Sequence, residues 1–148
     1  MALAQGLVLP APPKPAGAYR PAVIVGDLIY LSGFGARNAE GGPLVGIVGR
    51  DFDVAAANAA ARGVGLSILS VLQDTLGDLE QVQQVIRITG MICAVPEFAQ
   101  HPAVIDGCST LLLEVFGERG AHARMAYGVA SLPGGTALAI DCICQIRR

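Results

Sequence analysis

Thr136-Ala137-Leu138-Ala139-Ile140-Asp141-Cys142-Ile143-Cys144-Gln145-Ile146, close to the C-terminus, alternates with a period of two. Successive side chains of a strand point to opposite faces, so Leu138, Ile140, Cys142, Cys144 and Ile146 share one face and Ala137, Ala139, Asp141, Ile143 and Gln145 the other. The first set suits a core covered by helices. The second is small and mostly uncharged, unlike the Lys-, Glu- and Thr-rich face of a sheet in contact with water, and predicts that another subunit lies over it.

Upstream of this strand, Leu132-Pro133-Gly134-Gly135 reads as a turn and Ala123 to Ser131 as the preceding strand. A helix is expected from about Glu97 to Phe116, stopped by Gly117, and a strand from Val82 to Val95 ending at Pro96. From Asp53 to Leu76, Val54, Ala57, Ala61, Val64, Ile68, Val71 and Leu72 recur at three- and four-residue steps, which predicts a long helix. Asp53 is suited to cap its N-terminus and Gly77 to stop it. Leu44 to Val48 is expected as a third strand, after a glycine-rich loop from Gly33 to Pro43. Ala22 to Val25 and Leu28 to Ser32 flank Gly26-Asp27 as a hairpin. The prolines between Pro10 and Pro21 make residues 1–21 an extended arm. The order is βββαβαββ, an α+β fold with a mixed sheet and two helices on one face. At 148 residues the expectation is a single domain over residues 1–148.

Composition narrows the function classes. Hydrophobic residues make up 53% and charged residues only 15%, against about a quarter charged in an average soluble domain. Within the long helix the uncharged run Gly63 to Gln73 falls short of the ~20 apolar residues a membrane span needs. No basic region followed by a long apolar stretch opens the chain, so no secretory signal is read and a cytoplasmic location is expected. The apolar excess is then assigned to a subunit interface. A net charge of −2, with no Lys/Arg cluster beyond Arg147-Arg148, speaks against nucleic acid as a partner. Cys93, Cys108, Cys142 and Cys144 lie in apolar segments and are expected as reduced, buried thiols.

Few constellations carry chemistry. Gly33-Phe34-Gly35 with Gly41-Gly42 lacks the full dinucleotide pattern and a Walker lysine, so it reads as a loop beside a pocket. Cys142-Ile143-Cys144 offers two thiols where zinc needs about four ligands, and His101 and His122 are far apart in sequence; no metal site is expected. No local Ser/His/Asp or Cys/His signature marks a nucleophile. Arg124 stands at the head of an otherwise uncharged strand, Met125 to Ser131. Its guanidinium is a planar fork matched to a carboxylate, although an isolated arginine there also suits a rim salt bridge.

The segment Ala123-Arg124-Met125-Ala126-Tyr127-Gly128-Val129-Ala130-Ser131-Leu132-Pro133 resembles the signature of the reactive intermediate deaminase (RidA, YjgF) family, in which an Arg opens a strand ending near Leu-Pro. Gly17-Ala18-Tyr19 is similar to that family's Gly-Pro-Tyr motif, and Leu31-Ser32-Gly33 to the Ser-Gly that closes its second strand. The resemblance runs from about residue 14 to 148 and is nearest to the branch in which His122 and Phe116-Gly117-Glu118 precede the Arg. It implies a chorismate-mutase-like fold and a homotrimer with pockets between subunits. There Arg124 would hold a carboxylate, while Tyr19, Ser32, Gly33 and Asp106 would line the cavity. It also implies hydrolysis of enamines and imines such as 2-aminoacrylate to 2-keto acids and ammonia, with no cofactor. Two positions depart from the family. Ala139 stands where active members commonly carry a water-orienting Glu, leaving Asp141, two residues on, as the substitute. Asp106 stands where the family has an Asn. A trimer that binds or senses a carboxylate metabolite without turnover is the alternative, and the endoribonuclease label carried by some relatives is a third reading.

Overall fold

The computed structural model describes residues 6–147, so the first five residues of the arm and Arg148 lie outside the described part. Seven main elements follow in order: β1 (Ala22–Val25), β2 (Leu28–Gly35), α1 (Val54–Leu76), β3 (Val82–Cys93), α2 (His101–Phe116), β4 (Ala123–Val129) and β5 (Leu138–Ile146). The strands form one mixed sheet in the order β1-β2-β5-β3-β4, in which β3 and β4 run parallel and the other neighbours antiparallel. The architecture is the expected α+β one.

Local chemistry sets the boundaries. Gly26, at φ 61°, makes the tight β1–β2 turn that residues with a Cβ adopt reluctantly. Asp53 caps α1 by accepting a hydrogen bond from the Ala56 N–H at 2.8 Å, and Gly77 ends it in the left-handed conformation, φ 84°. Helix α2 begins at His101 rather than near Glu97, because Pro102 fits a first helical turn and lacks the N–H that an interior position would require.

One expected strand is corrected. Leu44 to Val48 makes only isolated bridges, Val45 to Thr136 and Val48 to Phe52 and Ala94, so the order is ββαβαββ. Gly46 breaks the run. It sits at φ 154°, and a Cβ there would come within 2.4 Å of the Phe52 ring, a placement no continuous strand residue could keep.

Both helices cover one face of the sheet. Leu138, Ile140, Cys142 and Cys144 of β5 are fully buried beneath Ile68, Leu69 and Leu72 of α1 and Ile105, Leu111 and Leu112 of α2. The helices approach closely at Gly107, where a Cβ would meet the Asn58 carbonyl oxygen at 2.0 Å. By length and composition α1 is apolar enough to cross a bilayer, unlike the shorter run read from the sequence, but half of that stretch is buried in this core. All four cysteines are buried and free. Burial pushes the Cys108 thiol up to about 12, and the hydrogen-bonded partner Cys144 together with burial raises Cys142 as well, so both are held as protonated thiols. From Leu7 the arm runs along α1, where the Ser70 hydroxyl donates to the Pro10 carbonyl at 2.6 Å.

Candidate functional site

Arg124 lies near the start of the edge strand β4, in register with Ile88 of β3, and its side chain projects on the helix-covered side. Its Nη1 donates to Asp106 Oδ1 at 2.7 Å and to Ser109 Oγ at 3.1 Å. Asp106 and Ser109 are three residues apart on α2 and therefore share the helix face turned toward β4. Only Nη1 is engaged: among the described residues, Nε and Nη2 of Arg124 make no hydrogen bond. The guanidinium is pinned by one nitrogen and presents its remaining edge, with 22% of the side chain exposed. That edge is the planar pair of donors a carboxylate accepts.

The link from α2 back to β4 is tight. After α2, Gly117–Gly120 forms a 3-10 turn, and Gly120 passes so close to the helix end that a Cβ would lie 2.3 Å from the Leu112 carbonyl oxygen. Gln84 holds the following residue, donating to the Ala121 carbonyl at 2.7 Å. His122 is thereby fixed beside α2. Its Nε2 lies 2.8 Å from Ser109 Oγ, and its Nδ1 lies 2.6 Å from the Gly120 carbonyl oxygen.

The other residues singled out from sequence gather elsewhere. Tyr19, Gly33 and Ala139 line a cavity of about 550 Å3 between the proline arm and the sheet, together with Arg37, Thr136 and Pro133. Gly33 falls at the register shift between Leu31 and Phe34, where β2 bulges against β5. Tyr19 is half exposed, and its hydroxyl accepts from the Ala16 N–H at 3.3 Å. Ser32 fastens the arm, its hydroxyl donating to the Arg20 carbonyl at 2.7 Å, and does not line that cavity. Asp141 projects from the uncovered face of β5, where its Oδ1 accepts the Thr89 N–H at 3.1 Å.

A single chain does not unite these groups. Leu31, Cys142, Ile88 and Arg124 form one row across the sheet, so Arg124 stands about 14 Å from the β2 end of that row, at three strand spacings. Asp141 and Arg124 also occupy opposite faces. Asp106, read as part of the pocket wall, is the ion-pair partner of Arg124. Sequence reasoning missed Ser109 altogether and noted His122 only as a neighbour of Arg124. The three-residue spacing of Asp106 and Ser109 on a helix was the one signal available.

Comparison with known proteins adds the following. Residues 1–145 match the family model described as "YjgF/chorismate mutase-like, putative endoribonuclease". Protein TCP17 of Trypanosoma cruzi is 38% identical over 95% of this chain and 89% of its own length. The solved structure of Atu1372 from Agrobacterium tumefaciens, described as of unknown function, is 40% identical over 99% of this chain and 91% of that one, with a TM-score of 0.87. A "putative endoribonuclease" from Shewanella oneidensis MR-1 is 31% identical over 97% of this chain and 95% of that one, with a TM-score of 0.91.

Proposed function

Since the chain belongs to the YjgF/chorismate mutase-like family, we propose that it is a cytoplasmic homotrimer that hydrolyses reactive enamines and imines of the 2-aminoacrylate type to 2-keto acids and ammonia. One observation carries this reading. Arg124 is fixed through Nη1 alone and keeps the Nε–Nη2 edge for a substrate carboxylate. Imines are already electrophilic, so holding the carboxylate and placing one water supplies much of the effect.

What one chain leaves open supports association into the trimer. Val25, Tyr30, Met125 and Tyr127 are each more than 40% exposed on the uncovered side of the sheet, an apolar surface suited to burial against a second copy. Closure by neighbouring subunits would bring the cavity at Tyr19, Gly33 and Ala139 of one chain to the Arg124 edge of the next, completing a site that neither holds alone. Asp141 of a neighbouring copy can orient the water there only if the pocket extends ~7 Å along the strand from Ala139.

Ala139 favours a second reading, a trimer that binds or senses a 2-keto or 2-imino acid without turning it over, because a methyl group orients no water. The endoribonuclease name borne by relatives finds little support in a chain of pI 5.6 without a grouped set of cations. A coupled assay separates the readings. Imines are generated from a range of amino acids by an amino-acid oxidase, and the release of 2-keto acid is followed with and without the protein. Acceleration supports the deaminase. Carboxylate binding without acceleration for any substrate assigns the binding or sensing role.

A further inference from the structure

Behind Arg124 the chain builds a second constellation. The Gly120 carbonyl only accepts, so in the neutral imidazole of His122 the nitrogen facing it, Nδ1, carries the proton and Nε2 is left as the acceptor. The Ser109 hydroxyl, 2.8 Å away, therefore donates to Nε2. The same oxygen accepts from Arg124 Nη1, and a hydroxyl has one further lone pair. Hydroxyl, base and orienting acceptor are thus in sequence, the arrangement that makes a hydroxyl, or a water held by it, give up a proton. Ser109 is buried within α2, and the backbone at Gly120 packs directly on the helix end at Leu112, closer than a residue with a Cβ could.

We infer that Ser109 and His122 form a proton relay serving the carboxylate site at Arg124, and that this relay does the acid–base work for which Ala139 has no group. The inference rests on the deaminase reading. With a 2-iminium carboxylate on the Nε–Nη2 edge, a water bonded to the spare lone pair of Ser109 attacks the C=N carbon. The C–O bond forms as the C=N π pair moves to nitrogen. One proton of the water passes to Ser109 Oγ, whose own proton passes to His122 Nε2. In the neutral carbinolamine that results, the proton returns by the same route to the amino nitrogen. The hydroxyl oxygen then closes the C=O bond as the C–N bond breaks, and ammonia leaves with the hydroxyl proton as ammonium. One water is consumed, and His122 is neutral again. Asp141 is poorly placed for this work within the chain, lying on the opposite sheet face with Oδ1 bonded to the Thr89 N–H.

The test uses the assembled protein and imines made by an amino-acid oxidase, with kcat and KM for 2-keto acid release and calorimetric Kd for pyruvate. His122→Gln retains a hydrogen-bonding group but cannot take up a proton; kcat is expected to fall on the order of a hundredfold while Kd stays within about twofold. Ser109→Ala is expected to match it, and the double variant to be no worse than either. Imidazole added to His122→Ala is expected to restore turnover in proportion to its concentration, which a packing role would not produce. Wild-type turnover by His122→Gln overturns the relay and leaves the deaminase standing, and a collapse confined to Asp141→Asn assigns the water to Asp141 instead. Loss of Kd in step with kcat in both relay variants makes the pair a clasp for Arg124 and also overturns the proposal. If the wild-type protein accelerates no imine, the deaminase reading fails and the relay with it.

Discussion

The two faces of the sheet obey the same alternation and meet different fates. On the covered face Leu138, Ile140, Cys142 and Cys144 have no exposure at all, whereas on the other face Val25 is 60% exposed, Met125 51% and Tyr127 42%. Both sets are apolar. The first is satisfied by two helices of its own chain; of the second, Ala139 is sheltered by the proline arm, whereas Val25, Met125 and Tyr127 stay exposed among the described residues. The candidate site repeats the division, since Arg124 and its partners sit on the covered side at the β4 edge while Asp141 faces the uncovered side.

That contrast predicts mutational effects of different kinds on the two faces. Ile140→Ala on the covered face removes most of a fully buried side chain and is expected to cost about 2–5 kcal/mol of chain stability. Denaturant unfolding with an unchanged slope checks it. Ile143→Glu, three residues along and on the other face, leaves the folded chain intact but strands a carboxylate in the proposed subunit contact, weakening association by about 3 kcal/mol. Sedimentation at micromolar concentration is expected to show monomers with native circular dichroism. A stable monomer already in the wild type would break the comparison, because the uncovered face would then be wet.

The faces were legible because β5 alternates without interruption and the spacing from Val54 to Leu72 is helical, so the patterns name most of the covered core: Ala57, Ala61, Val64, Ile68, Val71 and Leu72 are buried as read, while Val54 is only partly buried and Leu69 is buried without having been named. The stretch Leu44 to Val48 was misread for the opposite reason. Its apolar residues fit a strand, but the decision lay with the ring of Phe52 against Gly46, a tertiary contact no local pattern contains. The site was half legible. Arg124 stood out as a charge in an uncharged strand, whereas Ser109 is one serine in an apolar helix and acquires meaning only when α2 brings it to His122. That Tyr19, Gly33 and Ala139 share a cavity while Ser32 is spent on the arm likewise depends on how residues 11–21 lie against the sheet.

The third test concerns the fork itself. Arg124→Lys keeps the charge near Asp106 but removes the two-nitrogen edge, so carboxylate affinity is expected to fall by about 1.5–3 kcal/mol, on the order of ten- to a hundred-fold in Kd. Calorimetry with pyruvate or 2-ketobutyrate measures this. Equal binding by both proteins would show that Arg124 does not anchor the carboxylate. Dissociation or unfolding of the variant would instead make Arg124 a structural partner of Asp106.

The smallest expected effect concerns Asp106, and it separates positioning from charge. Its carboxylate neutralises the guanidinium through Nη1, so an arriving ligand carboxylate meets an ion pair rather than a free cation. Removing the charge while keeping an oxygen for Nη1, as Asp106→Asn does, takes away a repulsion between two anions roughly 5–6 Å apart. With the Asp106 side chain 57% exposed, water screens most of that repulsion, and about 1 kcal/mol remains. Pyruvate is therefore expected to bind Asp106→Asn about fivefold more tightly than the wild type at low salt, the gap narrowing as ionic strength rises. Weaker binding by Asp106→Asn would mean that the ion pair's main work is to hold Arg124 in its orientation, and that the amide cannot replace the carboxylate in doing so. The salt dependence distinguishes the two outcomes, because loss of orientation would persist at high ionic strength whereas the relief of repulsion would fade.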